Sequence, residues 1–235
     1  MTAPLRIVVA SAEMLHWLQQ SLSSLNDPML RWQIADGIEE QEDADDALYL
    51  WVNLTLDEFF TRHARNRRGV DLMLAGEPQL ASQLGWMIAA GGDLADINLL
   101  APLIDALAPQ LPWAWLHAGG PGAGAFAASI YLRSLQQQRA VMQWLASDGG
   151  QADPRNAMKH FDPASWQALA MSQQLALQDD AQSYLDWAGE RSYSPYHPLQ
   201  PAWQQTLAQA DLPVTQEPAQ QVARLLLAIP PLPQN

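Results

Sequence analysis

The first candidates for catalysis are side chains that can move a proton and that stand near a predicted turn or beside one another. Lys159 is the single lysine of the chain, and it stands beside His160 and Asp162 in a group that could act as acid and base or lie on the surface. His117 ends an apolar run just before a glycine cluster, where a histidine serves either as a proton carrier or as a structural hydrogen-bonding group. Tyr131 lies on the helix predicted after that cluster, and its phenol can exchange a proton or simply pack.

The glycine cluster lies between a predicted strand and a predicted long helix. Residues 113 to 117 read Trp-Ala-Trp-Leu-His, a short apolar run typical of a buried strand. Apolar residues then recur at helical spacing from about Phe126 to Leu145. A turn rich in glycine and proline, residues 119 to 124, separates the two. The sequence therefore predicts a strand, a tight turn and a helix in that order.

This segment resembles the junction between the nucleotide domain and the helical domain in the 6-phosphogluconate dehydrogenase and β-hydroxyacid dehydrogenase superfamily, whose pattern is G-x-G-A-G-H-F-V-K-M-V-H-N. The residues that match it are Gly122, Ala123, Gly124 and Phe126. The lysine of the pattern falls on Ala128, and its histidine and asparagine fall on Tyr131 and Leu132. Alanine cannot do acid or base chemistry, so the groups that would hold or take a substrate's hydroxyl proton are absent.

Two upstream stretches are similar to further elements of the same superfamily, so that the resemblance covers about residues 45 to 147. Residues 85 to 107 follow its strand, glycine turn and helix, and residues 69 to 76 resemble the strand end where a serine and two glycines bind the substrate's acid group. Ala75 replaces the serine, and Glu77 replaces the second glycine with a carboxylate that would repel an anionic substrate. The substrate-binding positions that the resemblance implies are Ala75, Gly76, Gly122 and Gly124.

The amino-terminal turn bears on cofactor binding. Residues 5 to 10 read as a buried first strand, and residues 12 to 25 read as the helix after it. A dinucleotide fold needs G-x-G-x-x-G between them, so that the backbone can approach the pyrophosphate. This chain has instead a degenerate turn without glycine: Ala10, Ser11, Ala12 and Glu13. Ser11 suits a helix N-cap, and Glu13 adds negative charge where a phosphate would lie, so we expect no NAD(P) cofactor.

An acidic segment and another predicted strand come next along the chain. Residues 30 to 35 form a candidate second strand, and residues 36 to 46 are dominated by Asp and Glu. Such a run is typical of a solvated loop; a metal site is the alternative, but neither histidine nor an Asp-x-Asp-x-Asp-Gly spacing accompanies it, so we expect no metal. Residues 47 to 52 then resemble the superfamily's strand before an Asp-Gly-Gly-Asn turn, which leaves the nucleotide domain shorter than a full dinucleotide fold.

The composition argues against several classes of function. The 235 residues carry 12 basic and 25 acidic side chains, and a formal net charge of −13 argues against nucleic acid or an anionic membrane as a partner. The absence of cysteine rules out disulfides and thiolate chemistry and is compatible with the cytoplasm. No apolar run is long enough to span a bilayer, and the start lacks the pattern of a signal peptide, so we expect a cytoplasmic protein.

The alternation of strands and helices ends at the glycine turn, and helical patterns follow it. Apolar spacing continues over residues 164 to 178 and 181 to 189, and another helix is predicted near 218 to 227. We therefore predict an α/β fold whose first part, residues 1 to 118, is a truncated Rossmann-like parallel-sheet domain of degenerate NAD(P)-binding type. Residues 119 to 235 are predicted to form an all-helical domain that resembles the C-terminal domain of the dehydrogenases.

Two functions from different classes are compatible with these residues. The first is a non-catalytic pseudoenzyme of the 6-phosphogluconate dehydrogenase type, which acts through protein or small-ligand binding. The second is an NAD(P)-dependent oxidoreductase of the β-hydroxyacid dehydrogenase type with an unconventional active site, in which Tyr131 or Lys159 is the acid. We favour the first because it requires no hidden site.

The helix after the glycine turn also predicts self-association. It carries apolar groups on more than one face, which a small helical domain covers if the helix is central or shared between subunits. These groups are Phe126, Ile130, Leu132, Leu135, Val141, Met142, Trp144 and Leu145. We expect a homodimer whose interface includes this helix and the carboxyl-terminal helices, because closed two-fold association is the commonest arrangement.

Overall fold

The computed structural model describes residues 5–23, 30–34, 47–63, 67–147, 163–198, 205 and 217–230. Within these residues, six strands form one sheet: β1 (Leu5–Val9), β2 (Leu30–Ile34), β3 (Leu48–Val52), β4 (Gly69–Ala75), β5 (Met87–Gly91) and β6 (Trp115–Gly119). Seven helices belong to the same described part: α1 (Ala12–Ser21), α2 (Leu56–His63), α3 (Pro78–Leu84), α4 (Leu94–Leu107), α5 (Ala123–Ser147), α6 (Pro163–Ala188) and α7 (Pro218–Ala228).

The order of the strands in the sheet is β2-β1-β3-β4-β5-β6. β1 pairs in parallel with β2 on one side and with β3 on the other, and β3 pairs in parallel with β4. The chain therefore reverses its direction of travel across the sheet at β1. In sheets of this kind a ligand crevice lies at the carboxyl ends of the strands beside the reversal. The predicted fold class, a short Rossmann-like sheet followed by helices, is confirmed.

One pairing departs from the predicted parallel sheet. β4 and β5 are antiparallel, with Asp71 opposite Gly91 and Ala75 opposite Met87. The link between them contains α3, whose seven residues span about 10 Å, whereas the seven residues of β4 extend over about 20 Å. The whole link, residues 76 to 86, is shorter than the dozen or more residues that a parallel crossover needs, so β5 begins beside the end of β4. The expectation of a parallel sheet is wrong at this pair.

Each face of the sheet has its own apolar core, because neighbouring strand residues point to opposite sides. Ile7 and Leu72 pack with α1, α3 and α4 on one face. Val8 and Trp51 pack with α2, α5, α6 and α7 on the other. The central strands are therefore apolar on both sides, which is typical of a sheet between two helical layers.

The helix predicted after the glycine turn is α5, and it runs along β4. Gly124 in its first turn lies against Asp71, and Tyr131 two turns later reaches Gly76 beyond the end of the strand. The described elements after β6 are all helices, while the division into domains at residue 118 stays a prediction. None of the described helices is both long and apolar enough to cross a membrane.

Candidate functional site

The turn after β1, at the crevice, forms an ordinary helix start. Ser11 is extended, with φ −151° and ψ 156°, and its Oγ accepts a hydrogen bond from the N–H of Met14 over 3.2 Å. Glu13 places a carboxylate in the first turn of α1. A pyrophosphate here would compete with Ser11 for the amide of Met14 and would lie beside Glu13. The residues of this turn therefore do not fit a dinucleotide phosphate.

Asn53 occupies the adjacent corner of the crevice, directly after β3. Its backbone is left-handed, with φ 53°, and its side chain is buried. Nδ2 donates to the carbonyl of Leu74 over 3.0 Å, and Oδ1 accepts from the N–H of Leu74 over 2.7 Å. The side chain thus pairs with β4 as an additional strand residue would. Both polar ends of Asn53 are used within the sheet.

The start of α2, the next helix along the chain, is capped by protein side chains. Oε2 of Glu58 accepts from the N–H of Thr55 over 2.7 Å and from its hydroxyl over 2.8 Å, and the same hydroxyl accepts from the N–H of Glu58 over 3.4 Å. The N–H of Leu56 donates to Oγ of Ser129 on α5 over 2.9 Å. This capping box and Ser129 use amides that a phosphate would otherwise contact at a helix start.

The position of the superfamily's lysine lies inside the protein, where Ala128 of α5 is completely buried. One turn further along α5, the hydroxyl of Tyr131 accepts a hydrogen bond from the N–H of Gly76 over 3.2 Å. Ala75 is buried, and the carboxylate of Glu77 caps α3. The structure therefore brings Tyr131 into contact with one of the expected substrate-binding positions, Gly76.

The other two expected substrate-binding positions, Gly122 and Gly124, lie at the opposite end of β4 around a buried carboxylate. Oδ1 of Asp71 accepts from the N–H of Gly122 over 2.9 Å, and Oδ2 accepts from the N–H of Ala125 over 2.7 Å. Burial raises the pKa of Asp71 to about 6, although the amide hydrogen bonds act in the opposite direction. A Cβ at Gly124 would lie 2.0 Å from the carbonyl oxygen of Asp71. These glycines let α5 approach β4 closely.

Sequence reasoning missed Asp71 and a second buried carboxylate, Glu217. Glu217 accepts from the hydroxyl of Tyr184 over 2.9 Å and from the N–H of Gly120 over 3.3 Å, and burial together with Glu217 raises the pKa of Tyr184. The available signal for Asp71 is one acidic residue inside an apolar strand, since a buried carboxylate needs hydrogen-bond partners. Glu217 precedes Pro218 and looks like an ordinary helix start, so no comparable signal marks it.

His117 lies on β6, two strands away from β4, and the backbone holds both of its ring nitrogens. Nδ1 accepts from the N–H of Tyr196 over 3.2 Å, so Nε2 carries the proton and donates to the carbonyl of Gly92 over 3.1 Å. Burial lowers the pKa of His117. The hydroxyl of Tyr193 also donates to the carbonyl of His117. The neutral ring therefore joins β6 to the loop that contains both tyrosines.

Two of the regions considered from the sequence are not covered by the structure. Lys159, with His160 and Asp162, lies outside the described residues, and so does the acidic segment 36 to 46. A role for Lys159 therefore stays a prediction. Among the residues that are described, no group of three His, Asp or Glu side chains could hold a metal ion.

A cavity of about 250 Å³ lies between α2, α5 and α6. Leu132, at the position of the superfamily's asparagine, lines it together with Ser129 and Arg133. Nε of Arg133 contacts Oδ2 of Asp180, another lining residue, over 2.8 Å. An arginine does not exchange protons near neutral pH, and its carboxylate partner is already paired. Asp57 and Arg139 also line the cavity, so its lining carries charges of both signs.

The comparisons with known proteins found matches among solved structures but none among family models or curated proteins. An imine reductase from Myxococcus stipitatus, solved as a variant with NAD+, is 13% identical, with 97% of this chain and 92% of that chain covered and a TM-score of 0.45. A 3-hydroxyisobutyrate dehydrogenase from Mycobacterium tuberculosis, solved with L-serine, is 13% identical, with 96% and 100% covered and a TM-score of 0.41. Both enzymes belong to the superfamily that the glycine-turn residues resemble.

Proposed function

We propose that this chain is a degenerate 6-phosphogluconate dehydrogenase-like protein that does not transfer hydride and acts through protein or small-ligand binding. The observation that carries the proposal is that three polar side chains at the crevice already make hydrogen bonds within the protein. Ser11 caps α1, Asn53 pairs with β4, and Glu58 caps α2. A dinucleotide phosphate at the start of α1 would compete with Ser11 for the N–H of Met14 and would lie beside the carboxylate of Glu13.

The residue at position 128, where the superfamily pattern has its catalytic lysine, also supports the proposal. Ala128 is fully buried and has no titratable group, and Leu132 replaces the asparagine one turn later. Hydride transfer from an alcohol also needs a group that takes the hydroxyl proton. The superfamily's own groups for that step are missing on this helix.

The alternative, an NAD(P)-dependent oxidoreductase with an unconventional site, has one observation in its favour. The hydroxyl of Tyr131 contacts the N–H of Gly76 at the position where the resemblance implies substrate binding. The phenol is only partly buried, so a bound substrate could reach it. Tyr131 is therefore the acid of this alternative within the described residues.

An assay of the purified full chain separates these functions. NAD(P)H oxidation and NAD(P)+ reduction would be followed with cyclic imines and with a series of β-hydroxy acids, for the natural chain and for Tyr131→Phe. We expect no turnover above the buffer rate for either protein, with equal thermal unfolding temperatures as the control for folding. Turnover by the natural chain that is lost in Tyr131→Phe would establish the oxidoreductase instead.

A further inference from the structure

We propose that the loop at residues 192–198, here called the strap, is held against the edge of the sheet by neutral His117 and is released when that histidine is protonated. The strap has the sequence Ser-Tyr-Ser-Pro-Tyr-His-Pro and contacts β6, the last strand in the order of the described sheet. None of its residues belongs to a helix or a strand. Its position therefore depends on the contacts that it makes with β6.

Hydrogen bonds and ring contacts hold the strap on two buried residues of β6. The N–H of Tyr196 donates to Nδ1 of His117 over 3.2 Å, and the hydroxyl of Tyr193 donates to the carbonyl of His117. The ring of Tyr196 stacks on Trp115 with 5.0 Å between the centroids, and His197 contacts the same indole edge to face at 4.7 Å. Trp115 is 4% exposed. The strap thus covers Trp115 and is attached to the ring of His117.

The hydrogen bond from Tyr196 requires a neutral His117. Nε2 already carries a proton, which it donates to the carbonyl of Gly92 over 3.1 Å. A second proton can bind only to Nδ1, which then becomes a donor and no longer accepts from the N–H of Tyr196. A buried imidazolium is also less favourable than the neutral ring. Protonation therefore breaks the hydrogen bond at Nδ1 and favours a form in which the ring is hydrated.

Several groups around the ring of His117 act on its charge. Burial lowers the pKa of His117 below 6.5 and has the largest effect. The carboxylate of Glu217, directly before α7, raises this pKa, as do the carbonyls of Gly92 and Gly119. His197 of the strap adds to the lowering. The neighbouring strand β5, Met-Ile-Ala-Ala-Gly, has no titratable side chain. The closed strap therefore stabilises the neutral ring.

Other titratable groups lie next to these contacts. The ring of Tyr193 lies 5.3 Å from the imidazole, and burial raises the pKa of its phenol, which stays neutral as the pH falls. Asp93, in the turn before α4, is exposed. Burial lowers the pKa of His197, and Asp105 raises it. His197 therefore titrates as well as His117, and a test must separate the two.

The difference in pKa between the closed and the open strap fixes the direction of the pH effect. In the closed form the pKa of His117 lies below 6.5, and in an open form the hydrated ring returns toward 6.5. The open form binds the proton more tightly, so the closed form loses its advantage as the pH falls below 6.5. Release would uncover Trp115 and the outer edge of β6, and an uncovered sheet edge can pair with another chain.

This inference goes beyond the proposed function and does not depend on it. The strap lies on β6, whereas the crevice lies at β1 and β3 in the strand order β2-β1-β3-β4-β5-β6. A strap on β6 neither requires nor excludes a dinucleotide in the crevice. The two proposals can therefore fail separately.

The test is the exchange of backbone amides with deuterated water, followed by NMR of the full chain labelled with 15N-tyrosine. The chain has five tyrosines, and Tyr49→Phe and Tyr196→Phe each identify one signal by its loss. We expect the protection of the Tyr196 amide, relative to an unstructured peptide at the same pH, to fall about tenfold or more between about pH 7.5 and about pH 5. Tyr49 is the internal reference, because its N–H donates to the carbonyl of Arg68 over 2.9 Å.

His117→Asn and His197→Asn are the matched variants, and thermal unfolding verifies the fold of each. Oδ1 of asparagine can accept from the N–H of Tyr196 but does not titrate, so His117→Asn should keep that amide protected at both pH values. His197→Asn should lose protection as the natural chain does. In the natural chain, the midpoint of the loss should match the pKa of His117 measured by NMR of its ring, which requires no variant.

Four results would overturn the proposal. The protection of Tyr196 in the natural chain could be independent of pH, or its loss could have a midpoint different from the pKa of His117. His117→Asn could still lose protection, or His197→Asn could abolish the loss. Equal losses at Tyr49 and Tyr196 would count with the first result, because they indicate unfolding of the whole chain rather than release of the strap.

Discussion

Asp71 is a buried carboxyl whose pKa lies above its ordinary value. Its carboxylate is buried between β4 and the start of α5, and it accepts hydrogen bonds from the amides of Gly122 and Ala125. Burial disfavours the charged form more than these amides favour it, so the pKa rises from 3.8 to about 6. The folded protein therefore binds a proton at Asp71 that the unfolded chain has already released between pH 4 and 6.

The raised pKa of Asp71 predicts that the free energy of unfolding falls as the pH rises. A carboxyl whose pKa is raised on folding contributes stability that is fully present below pH 3.8 and is lost as the pH rises through about 6. A pKa difference of about two units between the folded and the unfolded chain corresponds to about 3 kcal/mol of unfolding free energy. Urea unfolding of the natural chain and of Asp71→Asn at a series of pH values measures the difference, because asparagine does not titrate. Equal pH dependence in both proteins would contradict the assignment.

The sequence could show which chemical groups are absent but not which groups fill their places. The turn at Ser11 and the alanine at position 128 are readable because a motif fixes the spacing of its residues. The roles of Asn53 and Asp71 cannot be predicted in this way. Asn53 forms hydrogen bonds with Leu74, 21 residues further along the chain, and Asp71 accepts one from Gly122, 51 residues further along. Their partners become neighbours only when β3, β4 and α5 pack together.

At the scale of elements, apolar patterns predicted the strands and most helices, and the departures have physical causes. The apolar spacing over 164 to 178, which continues over 181 to 189, lies on the single helix Pro163–Ala188. Asp180, which interrupts the apolar spacing, is buried against Arg133 of α5. The direction of β5 was missed because a buried strand has the same apolar pattern in either orientation, and the length of α3 decides it.

The contact between β4 and α5 predicts a large effect of one added methyl group. In Gly124→Ala the new Cβ would lie 2.0 Å from the carbonyl oxygen of Asp71, so helix and strand must separate. We expect a loss of about 3 kcal/mol or more in unfolding free energy by urea titration. Gly189→Ala is the control, because Gly189 has φ +54° but nothing within 4 Å, and it should lose about 1 kcal/mol. Similar losses in both variants would show that the β4–α5 contact is not tight.

For the whole molecule, exposed apolar side chains on the layer formed by α5, α6 and α7 support the proposal of a homodimer. Met142 near the end of α5 is 64% exposed, and Leu175 of α6 is 52% exposed. Leu225, Leu227 and Ile229, on or directly after α7, are exposed as well. A second copy of the chain on this layer would cover these side chains.

Sedimentation velocity at micromolar concentration tests this association. We expect a mass of twice the 26.0 kDa chain for the natural protein. Met142→Glu should shift the protein toward monomer, because a charge would be buried in the interface. Leu99→Glu changes an equally exposed leucine on the other layer and should leave the mass unchanged. A monomeric natural chain would remove the proposal.

The central claim is that the crevice at the carboxyl ends of β1 and β3 does not receive a dinucleotide, and calorimetric titration tests it most directly. NAD+, NADH, NADP+ and NADPH would each be titrated into the full chain, with Ser11→Trp as the variant that blocks the turn. We predict no saturable heat for any of the four, because Ser11 already binds the N–H of Met14 and Glu13 adds a negative charge to the first turn of α1. A dissociation constant in the low micromolar range for the natural chain, lost in Ser11→Trp, would contradict the account.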